Sequence, residues 1–508
     1  MDLDSQSYLQ VRCAWSFVVL IAIAGFADVC YDWNGFHYVK HKVRIFSKKS
    51  LYDIEEYHIM NKTNKTTLPL RTTQKKRPAI NGKILYRREG WIGVEVHGTP
   101  YEMGFAHGRL LRSHFPQVVK VLKYLVDDVL KTTLSEYVKT CKTVLKRALK
   151  LVEWGFIKEE IRGICDGCAH PDITFDFLVA WNAFLSMCYY SKYRTAKSVL
   201  PGRCSAFIAT GNAVSDSNIV MAHNTHSDLA SGFVCNVVMR MLPYGKIPFV
   251  MQTSPGLVCS SADWFLTSAG IIGCETTISA PNYDADFQHG VPYFFRIRKA
   301  METGKTLDDY VSIMEKQNAG DYPCSWLLGD TNSGTIMRLE LTKTAISVAT
   351  TNDGVYYGMN SAVSPEVRLL ETDDAGLNDL MKSSGSRNSR MDYLLMEKYY
   401  GKINTTNAKK IIADHYDAGK NQYRMGIRGI CKHRECEEGA EFSLSGATDG
   451  KVVDSKMAKE LAFEGIFGSS CGRPFKKKDY VKKMEDPKQS KLWKEALQDV
   501  PKYVWVEL

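Results

Sequence analysis

The chain has 508 residues, 44% hydrophobic and 24% charged, and a net charge of +10 from 66 basic and 56 acidic residues. That composition excludes a disordered, collagenous or low-complexity protein, and the length suits two or three domains or one large layered domain. The basic excess is spread along the chain, although Lys48-Lys49, Lys75-Lys76-Arg77 and Lys476-Lys477-Lys478 form short clusters. No aromatics alternate with them, so they do not form a nucleic-acid platform, although they allow contact with an anionic membrane surface.

In chain order, the first signal is CAWSFVVLIAIAGFA, Cys13 to Ala27. About fifteen apolar residues are short of the roughly twenty needed for a bilayer span. They fit a signal peptide over residues 1–27 cut before Asp28, with an uncleaved anchor as the alternative. Sequons at Asn61, Asn64 and Asn404 agree with entry to the secretory pathway, and with a lysosomal or extracellular destination. Of the 14 cysteines, 13 remain once Cys13 leaves (14 − 1), and an odd number in an oxidising compartment leaves at least one thiol unpaired.

Residues 28–88 read as a basic N-terminal extension. A strand is expected from Tyr86 to Val96. After it, the glycines of GTPYEMGFAHGRLL punctuate the start of a helix running to about Leu130. Residues 132–192 have helical apolar spacing, broken at Pro171-Asp172, so 89–203 is the mainly helical part. From Cys204 the period changes to β-rich runs bounded by Gly, Asn, Asp and Pro. Helical spacing returns at Thr306–Gln317, Arg390–Tyr400 and Ala408–His415. Helices, then many strands, then mixed elements indicate an α+β fold with a sandwiched pair of sheets.

There is no G-x-S-x-G elbow, H-E-x-x-H pair, Walker loop or dinucleotide fingerprint, and no cofactor is expected. Cys165 and Cys168 have redox-motif spacing but sit in a helical stretch, which favours a local disulfide or two buried thiols. Cys431 and Cys436, with four residues including His433 between them, are expected as a disulfide, because no second ligand pair has zinc-like spacing. Cys204 is different. It begins a strand directly after Pro201-Gly202-Arg203. An ordinary thiol, with a pKa of about 8.5, needs a base to attack a carbonyl near neutral pH. Breaking the Arg203–Cys204 bond would supply one, the cysteine's own α-amine, with an ordinary pKa of about 8. Polar residues on later segments could hold that amine and a developing oxyanion: His223, Asn224 and His226, then Thr276 and Thr277, then Asn360, and after them Arg387 and Arg390.

GRCSAFIATG, NIVMAHNTHSD and TSPGLVCSSADWFLTSAGIIGCETT resemble the phospholipase B-like family of N-terminal-nucleophile hydrolases. GTPYEMGFAHGRLL, IRGICDGCAHPDITFDFLVAWNAF, GMNSAVSPEVRLLET and ICKHRE…GKVVDSKMA…GSSCGRPF are similar to the related penicillin acyltransferase-like autoproteolytic family. The resemblance implies a four-layer αββα sandwich, cut once before Cys204, with fragments 28–203 and 204–508 remaining associated. It implies Cys204 as nucleophile, His223 and Asn224 in a His-Asn motif, Thr276 or Thr277 in a Glu-Thr-Thr motif, Asn360 as oxyanion or substrate-binding residue, and Arg390 as a site-orienting residue. His226 departs from it, standing where those families usually have Trp, and would make activity more pH-dependent in the lysosomal range. The implied reaction is hydrolysis of phospholipid acyl esters. Amidase or acyltransferase action on N-acyl compounds or lipid amides is the alternative, and a processed lipid-binding glycoprotein without turnover is the non-enzymatic one.

Overall fold

The computed structural model describes residues 40–45, 79–194, 204–216, 219–374, 376–484 and 490–508. The expected signal segment, the sequons at Asn61 and Asn64, and Arg203 lie outside the described residues. Asn404 is the N-cap of helix Thr405–Ile412, and its Nδ2 donates to Ser215 Oγ at 3.3 Å, a bond that a glycan on that nitrogen would have to replace.

The single strand expected from Tyr86 to Val96 is a hairpin, Gly82–Arg88 and Trp91–Gly98. Glu89 and Gly90 both adopt positive φ, which lets a two-residue turn match the strands' twist. Thr99 then starts helix Pro100–Leu110 through a reciprocal capping box with Glu102. Gly104 and Gly108 do not punctuate this helix. They face helix Gly155–Cys168, where a Cβ on either would run into the carbonyl of Glu160 or Ile164. Gly163 and Gly167 meet the carbonyls of Tyr101 and Phe105 in the same way, so two small-x-x-x-small stripes bring the helix backbones together.

The described residues form mixed α and β structure with separate sheets. Ten strands make one sheet, in the order Lys40–Ile45, Ala345–Thr351, Thr335–Leu341, Cys324–Asp330, Ile271–Thr277, Phe265–Thr267, Phe249–Thr253, Val237–Pro243, Trp91–Gly98, Gly82–Arg88. Two stretches of the expected N-terminal extension are therefore its edge strands. In Gly82–Arg88 the alternation was hidden because an apolar residue, Leu85, stands outward between Ile84 and Tyr86. The pairing of Trp91–Gly98 with Val237–Pro243 is parallel and joins chain on either side of position 204.

A second sheet runs Gly354–Gly358, Cys204–Thr210, Ile219–Asp228, Asp449–Asp454, Glu464–Phe467, Val506–Glu507, with Ser445–Ala447 also on Ile219–Asp228. Strand Cys204–Thr210 is buried at every position, because it is paired on both sides and covered on both faces. One face meets the large sheet, where Ile208 closes on Gly329. On the other, Ile411 and Ile412 of helix Thr405–Ile412 cluster with Phe207, Ala209 and Val220.

Candidate active site at Cys204

Strand pairing sets Cys204 opposite Thr225, Ser205 opposite Asn224 and Ala206 opposite His223. The Cys204 backbone N donates to Asn360 Oδ1 at 3.2 Å. Asn360 has φ +68, a conformation that Asn tolerates better than most side chains, and this bend lets one amide serve two strands. Its Nδ2 donates to the Thr277 carbonyl at 2.9 Å, while Arg387 Nη2 donates to its Oδ1 at 3.0 Å. These two bonds fix which way the amide points. Asn360 thus presents an acceptor to the Cys204 nitrogen, and the Nδ2 expected to serve an oxyanion is already engaged.

Arg387, on helix Ser383–Asp392, reaches further. Its Nη1 donates to the Cys204 carbonyl at 2.7 Å and to Ser205 Oγ at 3.0 Å, and its Nη2 also donates to the Met359 carbonyl at 3.2 Å. Burial lowers this guanidinium to about 10, so it remains cationic. Arg390, expected to orient the site, does something else: it pairs with Asp414 at 2.8 Å and takes Tyr423 Oη at 2.7 Å. One helical turn, about 5.4 Å, carries it past Asn360.

The thiol faces acid. Cys204 Sγ donates to Glu275 Oε1 at 3.8 Å, and Tyr322 Oη lies 2.9 Å from that same oxygen and 2.9 Å from Asp263 Oδ2. Burial, then the Glu275 carboxylate, pushes the Cys204 thiol well above its ordinary value. Asp263 is pushed up by burial and by Glu275, so it holds its proton. A buried cation balances the group: Lys451 Nζ donates to Asp449 Oδ1 at 2.5 Å and to Thr225 Oγ1 at 2.8 Å. Glu275, Asp263 and Tyr322 were missed in the sequence. Only Glu275, inside the Glu-Thr-Thr motif, carried a signal.

The remaining candidates brace the site. His223 Nε2 meets the Glu275 carbonyl at 3.0 Å, which places Glu275. Asn224 Nδ2 donates to the carbonyls of Ile412 at 2.6 Å and Ile430 at 3.2 Å. His226 Nε2 meets the same Ile430 carbonyl at 3.1 Å. Thr277 Oγ1 donates to Tyr322 Oη at 3.3 Å. Thr276 Oγ1 is buried without a hydrogen-bond partner among the described residues. His226 does not supply the expected lysosomal pH dependence. Burial, then the charges of Arg387 and Lys432, push it well below its ordinary value, and it stays neutral there.

Beside this site lies a pocket whose walls include Leu125, Trp181, Phe184 and Leu257 on the apolar side. Thr225 and His226 line it next to Cys204, and Lys432 and Arg434 supply its basic side. Burial, then Arg387 and Arg434, push Lys432 well below its ordinary value.

Cys165 and Cys168 are free thiols, the second of the two expected alternatives, with Cys168 buried and Cys165 half-buried. The disulfide expected between Cys431 and Cys436 does not form, and both are free, as are the other described cysteines. Cys165 donates to the Ile173 carbonyl at 3.1 Å, and Cys431 turns from Cys436 toward His433, at 3.3 Å.

No family model matches the sequence. Among curated proteins, an uncharacterized protein of Archaeoglobus fulgidus is 26% identical over 263 residues, covering 49% of this chain and 42% of that protein. The chain therefore spans less than half the length of this relative. Among solved structures, a variant of the conjugated bile acid hydrolase from Clostridium perfringens is similar over 52% of this chain and 81% of that one, at 12% identity and a TM-score of 0.26. At that score the likeness decides nothing about this chain, and the site stands on its own geometry.

Proposed function

We propose that the chain is a self-processing hydrolase of the N-terminal-nucleophile type, with a four-layer αββα fold, that cuts the Arg203–Cys204 bond and then hydrolyses an acyl substrate. The observation that carries this reading is that Cys204 is held from three directions: its nitrogen at Asn360 Oδ1, its carbonyl at Arg387 and its thiol at Glu275.

In the uncut chain the thiol is protonated and has no amine of its own to act as base. Glu275 takes the thiol proton, and Sγ attacks the Arg203 carbonyl carbon. The S–C bond forms, the C–N bond breaks, and the Cys204 nitrogen leaves as an amine after receiving that proton. Water then hydrolyses the thioester to the Arg203 carboxylate and a free thiol. In turnover, the amine held at Asn360 Oδ1 accepts the thiol proton and passes it to the leaving alcohol or amine. A second water releases the acyl group. Arg387 keeps the strand end in place, so nucleophile and base stay aligned. The two fragments stay together through sheet pairing across the cut, as between Trp91–Gly98 and Val237–Pro243.

The pocket suits an amphiphile, with an apolar body against Trp181 and Leu257 and an anionic end toward Arg434. Phospholipid acyl esters fit that description, in a secretory or lysosomal setting; N-acyl amino compounds share it. The test is N-terminal sequencing of purified, acid-incubated protein beside Cys204→Ala, followed by assay of both linkages with one preparation. A new N-terminus at Cys204 in the wild type alone, with turnover of either linkage, supports the reading. Cutting without turnover of either linkage leaves a lipid-binding glycoprotein, and an intact wild-type chain sinks the hydrolase.

A further inference from the structure

Four side chains from three stretches of sequence converge away from Cys204. One ring nitrogen each of His415 and His433, and the sulfurs of Cys431 and Cys471, all lie within 4.8 Å of one another. His433 Nε2 is 3.3 Å from Cys431 Sγ and 3.4 Å from Cys471 Sγ. A tetrahedral Zn²⁺, with Zn–N of about 2.0–2.1 Å and Zn–S of about 2.3 Å, separates nitrogen and sulfur ligands by about 3.5 Å. The other nitrogen of His433, Nδ1, is 2.8 Å from Glu435 Oε1. That is the arrangement in which a carboxylate fixes the ring of a metal-bound histidine. His415 Nε2 is shielded from water and has no hydrogen-bond partner among the described residues. Two thiols and two imidazoles at this spacing are the donor set that selects Zn²⁺ over harder cations.

We propose that His415, Cys431, His433 and Cys471 bind one Zn²⁺ in a closed tetrahedral site that anchors the Ile430–His433 segment behind the active-site strands. Four protein ligands leave no open position, so the ion's role is structural. Cys431 follows Ile430, whose carbonyl accepts from Ser205 Oγ at 3.3 Å, Asn224 Nδ2 at 3.2 Å and His226 Nε2 at 3.1 Å. Cys431 N donates to the Asp414 carbonyl, next to His415, at 2.9 Å. Ser470, next to Cys471, donates to the Ile412 carbonyl at 2.9 Å, the same carbonyl that Asn224 Nδ2 uses. The ion therefore joins two stretches that bond the strands beside Cys204, at Ile412 and Ile430, and a third that holds the Ile412 carbonyl through Ser470. A second grouping, His433 with Glu435 and Cys436, competes for His433. It offers three ligands instead of four and one sulfur instead of two.

The test uses untagged full-length protein. Elemental analysis is expected to find one zinc per chain. Cobalt exchanged into the wild type should give the thiolate charge-transfer and intense d–d bands of a tetrahedral site. Cys471→Ser and His415→Ala should lose the metal, while Cys436→Ser keeps it. If the first two variants fail to fold, the wild-type cobalt spectrum and its loss to a chelator, with a fall in Tm, still decide. Absence of stoichiometric metal overturns the proposal, as does a mass two hydrogens lower with Cys431 linked to Cys471. So does metal that survives Cys471→Ser but leaves with Cys436→Ser. None of these readouts depends on cutting at Cys204.

Discussion

Cys204 is a buried thiol and Cys471 a half-buried one, and their surroundings drive them in opposite directions. Cys204 faces Glu275, and burial together with that carboxylate holds it as a thiol. Cys471 has the Cys431 thiol and the rings of His415 and His433 around it, and they hold it well below the usual thiol range. Shielding alone therefore does not assign a role to a cysteine; the charges facing it do. A thiol beside a carboxylate keeps its proton at rest and gives it up only as it attacks, so Glu275 serves the cut before the α-amine exists to serve turnover. A sulfur among imidazoles is ready to bind a metal.

The largest expected effect breaks this contrast at its chemical end. Cys204→Ala should abolish the cut and all turnover while leaving the metal content unchanged, as measured by N-terminal sequencing and elemental analysis on one sample. Next comes Glu275→Gln, which keeps the shape but removes the acceptor for the thiol proton. General-base contributions run to about 10²–10⁴-fold, so the rate of cutting should fall by roughly 10²–10³. A cutting rate equal to wild type would show that Glu275 is a structural neighbour only. Arg387→Lys should have a smaller effect. An ammonium cannot span the four oxygens that the guanidinium reaches, those of Cys204, Ser205, Met359 and Asn360. Cutting should slow by about 10–100-fold from misplacement of the strand end. The same change at Arg390 should leave the cut intact and lower stability, through Asp414.

How much of this was legible in the sequence follows from where each signal is stored. Cys204 stood out because a turn and a strand start are local features. The change from helical to β spacing at the same point was local too. The resemblance favours Arg390 over Arg387, and the structure reverses the choice: they lie about one helical turn apart, and only the position of Asn360 separates their roles. Gly104 and Gly108 looked like punctuation at a helix start, because the stripe they form with Gly163 and Gly167 is meaningful only once two helices meet. The four-ligand cluster was hidden for the same reason. Its members run from His415 to Cys471, and only Cys431 and His433 are near neighbours in sequence. The expected pairing of Cys431 with Cys436 weighed spacing where the structure weighs convergence. His226 read as a titrating group from its residue type alone, but burial beside Arg387 and Lys432 overrides that type.

The smallest effect tests whether the acid-rich side of the comparison extends into the pocket. Asp228 lines that pocket, accepts from Tyr124 Oη at 3.0 Å and from Ala230 N at 2.9 Å, and burial still raises it to about 7. An unfolded aspartate titrates near a pKa of about 3.9, so between those two values the folded chain binds more protons than the unfolded one. The folding stability from this group is therefore present in full below pH of about 4 and lost as pH rises through about 7. Denaturant unfolding at pH of about 5 and 7.5 should find the wild type more stable at the lower value, and Asp228→Asn should reduce that difference. Asp263, also held protonated, would retain part of the slope in the variant. Equal slopes in the two proteins would mean that Asp228 ionises freely in the folded state. The acid-rich environment would then end at Asp263 and Glu275, and the pocket would present a negative charge opposite Arg434, which argues against an anionic substrate end.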